Sequence, residues 1–279
     1  MRLATNVARL IASTGEFFGR GFLFTTMSCS LTVIEIKEAL RQTGCPICRV
    51  YQQAANRYIR HLLWENVNDF DTRKWIIASL GYCPEHTLLL ATTEYSEYGD
   101  AMGVSIIYEN LAQALIHRLE NWQPPQQHRQ GIPGLLEQAV RWIENPDKST
   151  TTLSTQATCR VCQVAGASAA HALSTLMEVL DTQAGEWLAL YRDSKGLCLR
   201  HLRICLEQWS PNYPAAAEFL RQDTLQRLHR WMVDMSEYVR KHAWDNRHET
   251  MTDAENLAWQ RTLSFFTGYP PETFTTNGK

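Results

Sequence analysis

The sequence predicts an all-α protein built from two copies of one helical unit, and three observations carry this prediction. Apolar residues recur at intervals of three and four along most of the chain, which is the period of an amphipathic helix. The alternating β-branched runs that are typical of strands are absent. A motif of cysteines and histidine occurs twice at nearly the same spacing, which indicates an internal duplication.

Each copy of this motif reads C-x2-C, then a long spacer, then C-x2-H. The spacer has 34 residues in the first copy and 35 in the second. The first copy consists of Cys45, Cys48, Cys83 and His86, and the second of Cys159, Cys162, Cys198 and His201. Disulfide bonding or burial of the thiols would not explain why a histidine takes the fourth position both times.

The duplication suggests five segments in the chain of 279 residues. We expect residues 1–29 to be a disordered extension, with the functional protein beginning near Met27. Two helical metal-binding repeats then cover residues 30–122 and 159–241. A Ser/Thr-rich linker with a short helix over Leu135 to Ile143 separates them, at residues 123–158. A C-terminal helix and tail occupy residues 242–279, with disorder expected after Pro271.

Capping residues predict where several helices begin and end. Cys45 and Cys83 each precede a proline, which is favoured at the first helical position because its missing N–H is not needed there. Gly44 and Gly81 are placed to end the preceding helices. Near the C-terminus, Thr252-Asp253-Ala254-Glu255 has the pattern of a capping box.

The long helix of the second half carries an apolar stripe that resembles a heptad repeat. Its members, predicted to face inward, are Leu225, Leu228, Met232, Met235 and Val239.

The paired ligands predict metal binding because each pair begins a helix. Two side chains three residues apart lie on one face of the first turn, where both can reach one ion. The spacer is long enough for one helix that leads away and one that returns. We therefore expect the C-x2-C pair and the C-x2-H pair of the same copy to meet. Each half would then have one Cys3His site joining two helix N-termini. Cys3His is a common structural zinc set, so we expect two zinc ions per chain, with an Fe–S cluster as the alternative.

The other cysteines and histidines give weaker signals. Cys205 aligns with Leu90 of the first copy, which favours a buried apolar role. Cys29 precedes the first helix without a partner, and a redox role is the alternative to an inert thiol. Four histidines fall within predicted helices, where surface or core positions are more common than metal ligation: His61, His117, His171 and His229.

Composition excludes several classes of protein. The net charge is −2, from 27 basic and 29 acidic residues, and no basic block suggests nucleic-acid binding. No apolar run approaches the roughly 18 to 20 residues of a membrane span. Without a convincing signal peptide, the cysteine spacing favours a reducing compartment, and we expect a cytoplasmic protein.

The motifs also carry a resemblance, through Cys45-Pro46-Ile47-Cys48, Gly81-Tyr82-Cys83-Pro84-Glu85-His86 and Gly196-Leu197-Cys198-Leu199-Arg200-His201. From Ser30 onward the chain resembles a family of uncharacterised prokaryotic proteins, a domain of unknown function with Cys-Pro-x-Cys and Gly-aromatic-Cys-x-x-His motifs. The second copy departs from that pattern with Arg160 in place of proline and Leu197 in place of the aromatic residue, but it keeps all four ligands. The resemblance implies no established activity.

Three functions are compatible with these features. The first is a zinc-binding helical protein with two structural sites that binds a protein partner or a small ligand. The second is an Fe–S or thiol-based redox sensor. The third is an enzyme that uses the polar cluster from His242 to Glu249, but the sequence lacks a nucleotide-binding glycine loop, a nucleophile elbow and an H-E-x-x-H motif.

The densest polar cluster is the candidate ligand-binding site. The alternative is that these residues form only a solvated connection between two helices. It runs from His242 to Glu249 and contains His242, Trp244, Asp245, Arg247 and His248. We predict no catalytic residue, and four protein ligands per metal leave no position for substrate.

Overall fold

A computed structural model of the protein describes residues 31–122, 155 and 157–275. These residues form ten α-helices and no strand, which confirms the all-α class. The predicted extension, the short linker helix and Cys29 lie outside the described residues.

Five helices precede the linker. They are α1 (Leu31–Leu40), α2 (Pro46–His61), α3 (Phe70–Ala78), α4 (Pro84–Tyr98) and α5 (Met102–Glu120). A π-helical turn, Leu62–Asn66, continues α2. The prolines at the starts of α2 and α4 stand at the predicted positions, and Asp69 caps α3 by accepting a hydrogen bond from the backbone N–H of Thr72 at 2.8 Å.

Five helices follow the linker. They are α6 (Arg160–Asp181), α7 (Gly185–Asp193), α8 (Leu199–Ile204), α9 (Pro214–His242) and α10 (Asp253–Thr267). The capping box predicted at the start of α10 is confirmed, since Thr252 and Glu255 each accept from the other's backbone N–H. The disorder expected after Pro271 is wrong for Pro271–Phe274, which forms a 3-10 turn in which Glu272 accepts from the Thr43 hydroxyl at 2.6 Å.

The chain divides into two compact units. Unit 1 contains Met1–Ala54 and Ala165–Lys279, and unit 2 contains Ala55–Val164. Each unit therefore includes residues from both predicted repeats. The five-segment division stays a prediction about how the sequence was duplicated.

The core of unit 1 contains thiols as well as aliphatic side chains. Cys45, Cys198 and Cys205 belong to the same buried cluster as its aliphatic and aromatic members. The fully buried large side chains of this cluster are Ile36, Leu40, Ile47, Leu176, Met177, Leu180, Tyr191 and Leu220. Burial of each such aliphatic side chain stabilises the fold by about 1.5 to 3 kcal/mol, and these thiols are packed among them.

Unit 2 has a smaller core and one buried carboxylate. The buried apolar residues are Ala55, Ile59, Leu62, Ile76, Tyr82, Leu90, Ile107, Leu111 and Val161. Glu94 is 4% exposed and accepts from the backbone N–H groups of Gly103 and Val104, at 2.5 and 2.7 Å. A side chain of α4 thereby satisfies two of the free donors at the start of α5.

The apolar stripe predicted along α9 is wrong in part. Leu225, Met232 and Val239 are exposed. Several residues of α9 contact α10, including Trp231, whose ring lies 6.0 Å from that of Phe265, and Met235, whose sulfur accepts from the Thr262 hydroxyl at 3.4 Å. The less exposed residues of α9 still recur at intervals of three and four, so its inward face lies about one residue before the predicted stripe: Leu220, Thr224, Arg227, Trp231, Asp234 and Tyr238.

None of the helices in the described part of the chain combines the length and the hydropathy that crossing a membrane requires.

Candidate metal centre

All eight predicted metal ligands lie within about one turn of a helix N-terminus, either directly before it or in the first turn. Cys83 and Cys198 are the N-cap residues of α4 and α8, with extended backbone angles of φ −65°, ψ 161° and φ −74°, ψ 163°. Cys45 and Cys159 directly precede α2 and α6. The partial positive charge of a helix N-terminus favours the thiolate form that binds metal.

The structure brings these ligands together in two groups of four. Centre 1 consists of Cys45, Cys48, Cys198 and His201, and it lies in unit 1. Centre 2 consists of Cys83, His86, Cys159 and Cys162, and it lies in unit 2. Within each group all four ligand atoms are within 4.8 Å of one another. The prediction of two Cys3His groups is confirmed.

The predicted pairing of the motifs is wrong. Each C-x2-C pair meets the C-x2-H pair of the other copy, so neither half contains a complete site of its own.

Helix lengths are in keeping with this exchange. In the first copy the outgoing helix α2 and its π-helical turn have 16 and 5 residues, or about 30 Å, whereas the returning helix α3 has 9 residues, or about 13 Å. In the second copy the outgoing helix α6 has 22 residues, or about 33 Å, and the returning helix α7 has 9. In both copies the returning helix is therefore much shorter than the outgoing one, which fits a C-x2-H pair that does not return to its own C-x2-C pair.

Centre 1 has the spacing of a filled tetrahedral site. The Nδ1 atom of His201 lies 3.4 Å from the Sγ of Cys45, 3.6 Å from that of Cys48 and 3.3 Å from that of Cys198. The Sγ atoms of Cys48 and Cys198 are 3.8 Å apart.

Centre 2 repeats this geometry. The Nδ1 atom of His86 lies 3.1 Å from the Sγ of Cys83, 3.6 Å from that of Cys159 and 3.3 Å from that of Cys162. The Sγ atoms of Cys83 and Cys162 are 3.7 Å apart.

These distances fit one metal ion in each centre. A tetrahedral ion with metal–sulfur bonds of about 2.3 Å and a metal–nitrogen bond of about 2.05 Å separates two sulfurs by about 3.8 Å, and sulfur from nitrogen by about 3.6 Å. A disulfide would need sulfurs about 2.05 Å apart. All seven cysteines among the described residues are free thiols. Both centres therefore have the donors and the size to hold a thiolate-binding ion.

The two centres differ in exposure. In centre 1, Cys45, Cys198 and His201 are each at most 5% exposed. In centre 2 only His86 is buried, and the three cysteines are partly exposed. Reagents in solution can therefore reach the sulfurs of centre 2 more readily than those of centre 1.

A backbone segment that sequence reasoning missed closes over centre 1. Gly268 ends α10 with φ +82°, and a Cβ atom placed on it would lie 3.1 Å from the Sγ of Cys48 and 3.5 Å from that of Cys198. Only glycine combines this left-handed backbone with so close an approach to two sulfurs. Gly268 is recognisable in the sequence as a helix stop, but nothing local indicates which groups it approaches.

Protonation in the metal-free centres follows from crowding of the thiols. Burial would raise the pKa of Cys45, but hydrogen bonds from Cys198, Cys48 and His201 outweigh it and hold that pKa well below its usual value. Hydrogen bonds with Cys198 and Cys45 raise the pKa of Cys48 far above its usual value. In centre 2, the hydrogen bond from Cys162 lowers the pKa of Cys159 to about 3. Each centre thus has a ready thiolate beside a thiol that must lose its proton before it binds metal.

The predicted ligand-binding cluster surrounds the turn between α9 and α10. Its five residues are all exposed: His242, Trp244, Asp245, Arg247 and His248. The guanidinium of Arg247 lies over the Trp244 ring at 4.6 Å, and Nδ1 of His242 donates to the carbonyl of Tyr238 at 2.7 Å. A ligand-binding role for this cluster stays a prediction.

Two weaker predictions are confirmed. Cys205 is fully buried in the unit 1 core, as expected from its alignment with Leu90, which is also fully buried. The four histidines predicted within helices are exposed on helix surfaces, away from either centre: His61, His117, His171 and His229.

Comparison with known proteins gives one match. A family model described as a family of unknown function, DUF6062, matches residues 27–273. No curated protein and no solved structure matches the chain.

Proposed function

We propose that this chain, which belongs to the DUF6062 family of unknown function, is a zinc-binding helical protein whose two structural centres support a surface that binds a protein or a small ligand. The observation that carries the proposal is the pair of four-ligand groups, each with all its ligand atoms within 4.8 Å. Four protein ligands complete a tetrahedral ion and leave no position for substrate or water. This supports a structural role for the metal.

Zinc is favoured over an iron–sulfur cluster by the size of the centres. In a cluster with two or four irons, thiolates bound to different irons are separated by the iron–iron distance as well as by their own bonds. Ligand atoms that all lie within 4.8 Å instead surround a single ion. Among single ions, Zn²⁺ prefers tetrahedral thiolate and imidazole coordination without any redox requirement.

We assign the protein to the cytoplasm because of the chemistry of its thiols. The seven cysteines of the described residues are free thiols, six of them metal ligands in our proposal, and such thiols persist where thiols are kept reduced. In an oxidising compartment, cysteines this close together would form disulfides.

A thiol-based redox sensor is the second candidate, and the openness of centre 2 favours it. Its three cysteines are partly exposed, and Cys159 is held as a thiolate by the hydrogen bond from Cys162, which lowers its pKa. Accessible thiolates are the ones that oxidants attack. Oxidation there would release the metal of centre 2 before that of centre 1.

The test is metal analysis of protein purified without oxygen and without added metal, together with a visible spectrum. The proposal predicts two zinc ions per chain and a colourless protein. Replacement by Co²⁺ should give the visible absorption of tetrahedral cobalt bound to thiolates at both centres. Iron with broad visible absorbance would support the cluster alternative. Protein without zinc or iron that also fails to bind Co²⁺ would contradict the proposal.

A further inference from the structure

A cavity of about 250 Å³ opens beside centre 1, and two of the metal ligands, Cys45 and Cys198, form part of its wall. Five of its lining side chains are cationic and one is acidic. They are Arg192, Lys195, Arg227, Arg230 and Arg261, with Asp193 as the acid. A chain with a net charge of −2 thus concentrates positive charge at one concave site.

Neighbouring carboxylates neutralise only part of this charge. Arg227 pairs with Asp223 at 2.5 Å, and Arg261 lies 3.9 Å from Asp234.

The other three cations, Arg192, Lys195 and Arg230, form no ion pair in the described part of the chain. All three are exposed at the cavity. Five cations against the carboxylates of Asp193, Asp223 and Asp234 leave a surplus of about two positive charges. One divalent ion with three thiolates at centre 1 would have a net charge of about −1 and so would remove only one of them. The cavity therefore remains attractive to an anion.

The rest of the lining is apolar. Trp231 and Phe265 pack against each other at 6.0 Å between ring centroids and both face the cavity, together with Leu197 and Pro271. Ligand sites in proteins characteristically combine apolar walls with a few polar groups that fix orientation. Inorganic anions would use only the charged part of this lining.

We propose that the cavity binds a small organic anion, whose carboxylate or phosphate group pairs with Lys195 and Arg230 and whose apolar body packs against Trp231 and Phe265. This inference rests on the proposed binding function and names its ligand class. Because Cys45 and Cys198 form part of the wall, a metal ion bound at centre 1 would hold that wall in position. Removing the metal is therefore expected to weaken binding.

The experiment is isothermal titration calorimetry of the zinc-loaded full chain with phenyl phosphate and, separately, with phenylacetate. The two arms distinguish a phosphate from a carboxylate ligand, and either one saturating at one site per chain supports the inference. The double variant Lys195→Gln/Arg230→Gln should bind the preferred anion at least about tenfold more weakly, since charge-assisted hydrogen bonds are lost. Both side chains are exposed and form no internal ion pair, so we expect the variant to fold.

The matched control is Arg41→Gln/Arg221→Gln, which removes two exposed positive charges of unit 1 that do not line the cavity. Its affinity should equal that of the unaltered chain. The inference is overturned if neither anion saturates, if Lys195→Gln/Arg230→Gln binds as tightly as the control, or if benzyl alcohol or inorganic phosphate binds as tightly as the organic anion. Zinc is counted in the same samples. A chain with two zinc ions that binds neither anion contradicts this inference alone, whereas a chain that binds no metal contradicts the proposed function.

Discussion

The Sγ atom of Cys48 lies 3.8 Å from the Sγ atom of Cys198, although the two cysteines are 150 residues apart in the chain. Cys83 and Cys162 stand in the reciprocal relationship at 3.7 Å. Each centre thus takes one C-x2-C pair from one repeat and one C-x2-H pair from the other. The arrangement resembles the exchange of identical elements between protomers in domain-swapped dimers, here within one chain.

The glycine that closes centre 1 gives the first prediction. Replacing Gly268 with alanine forces an L residue into a left-handed conformation and places a Cβ 3.1 Å from the Sγ of Cys48. We expect the free energy of unfolding to fall by about 2 kcal/mol, and the zinc affinity of centre 1 to fall with it. Urea denaturation and competition with a zinc chelator measure the two effects.

Gly99→Ala is the control for backbone strain. Gly99 also ends a helix with positive φ, +76°, but no atom lies within 4 Å of the Cβ it would gain. Its cost should be only about 1 kcal/mol, without a change in zinc affinity. Equal effects of the two substitutions on zinc affinity would show that Gly268 does not act through the metal centre.

Arg227 gives the second prediction, through the loop that leads to Cys198. Its guanidinium donates to the carbonyl oxygens of Ser194 and Tyr191, at 2.7 and 3.1 Å, and pairs with the nearly buried Asp223. Arg227→Ala should destabilise unit 1 by about 3 kcal/mol, because it leaves a buried carboxylate without its partner. Thermal or urea denaturation measures the loss.

Arg221→Ala is the matched control on the same helix. Arg221 pairs with Glu218, but about half of each side chain is exposed, so the pair is screened by water. We expect little change in stability. If Arg221→Ala lowered the free energy of unfolding as much as Arg227→Ala, the buried contacts of Arg227 would contribute no more to stability than an exposed ion pair.

The fold class and the ligands were predictable because their signals are local. A cysteine before a proline begins α4 whatever lies elsewhere in the chain, and the capping box of Thr252 and Glu255 forms from four consecutive residues. The identity of the eight ligands follows from the repeated spacing of the motif.

The pairing of the ligands was predicted wrongly because it depends on distances across the whole chain. The sequence did contain a relevant signal, since the helix that follows Cys45 is much longer than the helix that precedes Cys83. Comparing those lengths would have cast doubt on a return to the same copy. The approach of Gly268 to centre 1 and the cavity beside it depend on how α9 and α10 pack. The only sequence signal for that packing is the apolar stripe of α9, which is offset from the inward face.

Protonation gives the third prediction. Burial lowers the pKa of His201, but hydrogen bonds with Cys198 and Cys45 outweigh it and raise that pKa to about 9. The pKa of Cys48 is also raised, so both groups carry protons near pH 7 in the metal-free protein. Protons compete with the metal for these atoms, so zinc affinity should rise with pH and fall on acidification.

Titration calorimetry in two buffers of different ionisation enthalpy measures this release. In a Cys83→Ser variant, which isolates centre 1, zinc binding at pH 7.5 should release protons, including those of Cys48 and His201. Absence of proton release, or an affinity unchanged between pH 6 and 8, would refute the assignment.

Exposure of the thiols gives the fourth prediction. Zinc should leave in two phases when the protein is mixed with a chromophoric chelator, because the cysteines of centre 2 are partly exposed and most ligands of centre 1 are buried. Cys159→Ser should abolish the fast phase, and Cys48→Ser the slow one. A single phase, or loss of the fast phase in Cys48→Ser, would contradict the difference between the centres.

The most direct test of the exchanged pairing is a count of metal ions in two double variants. Cys48→Ser/Cys198→Ser alters two ligands of centre 1 only, whereas Cys48→Ser/Cys83→Ser alters one ligand of each centre. We predict one zinc ion per chain, held by centre 2, in the first variant and no tightly bound zinc in the second, with circular dichroism reporting the helical content of both. The opposite result, no zinc in the first variant and one ion in the second, would mean that each repeat completes its own site and that the exchanged pairing is wrong.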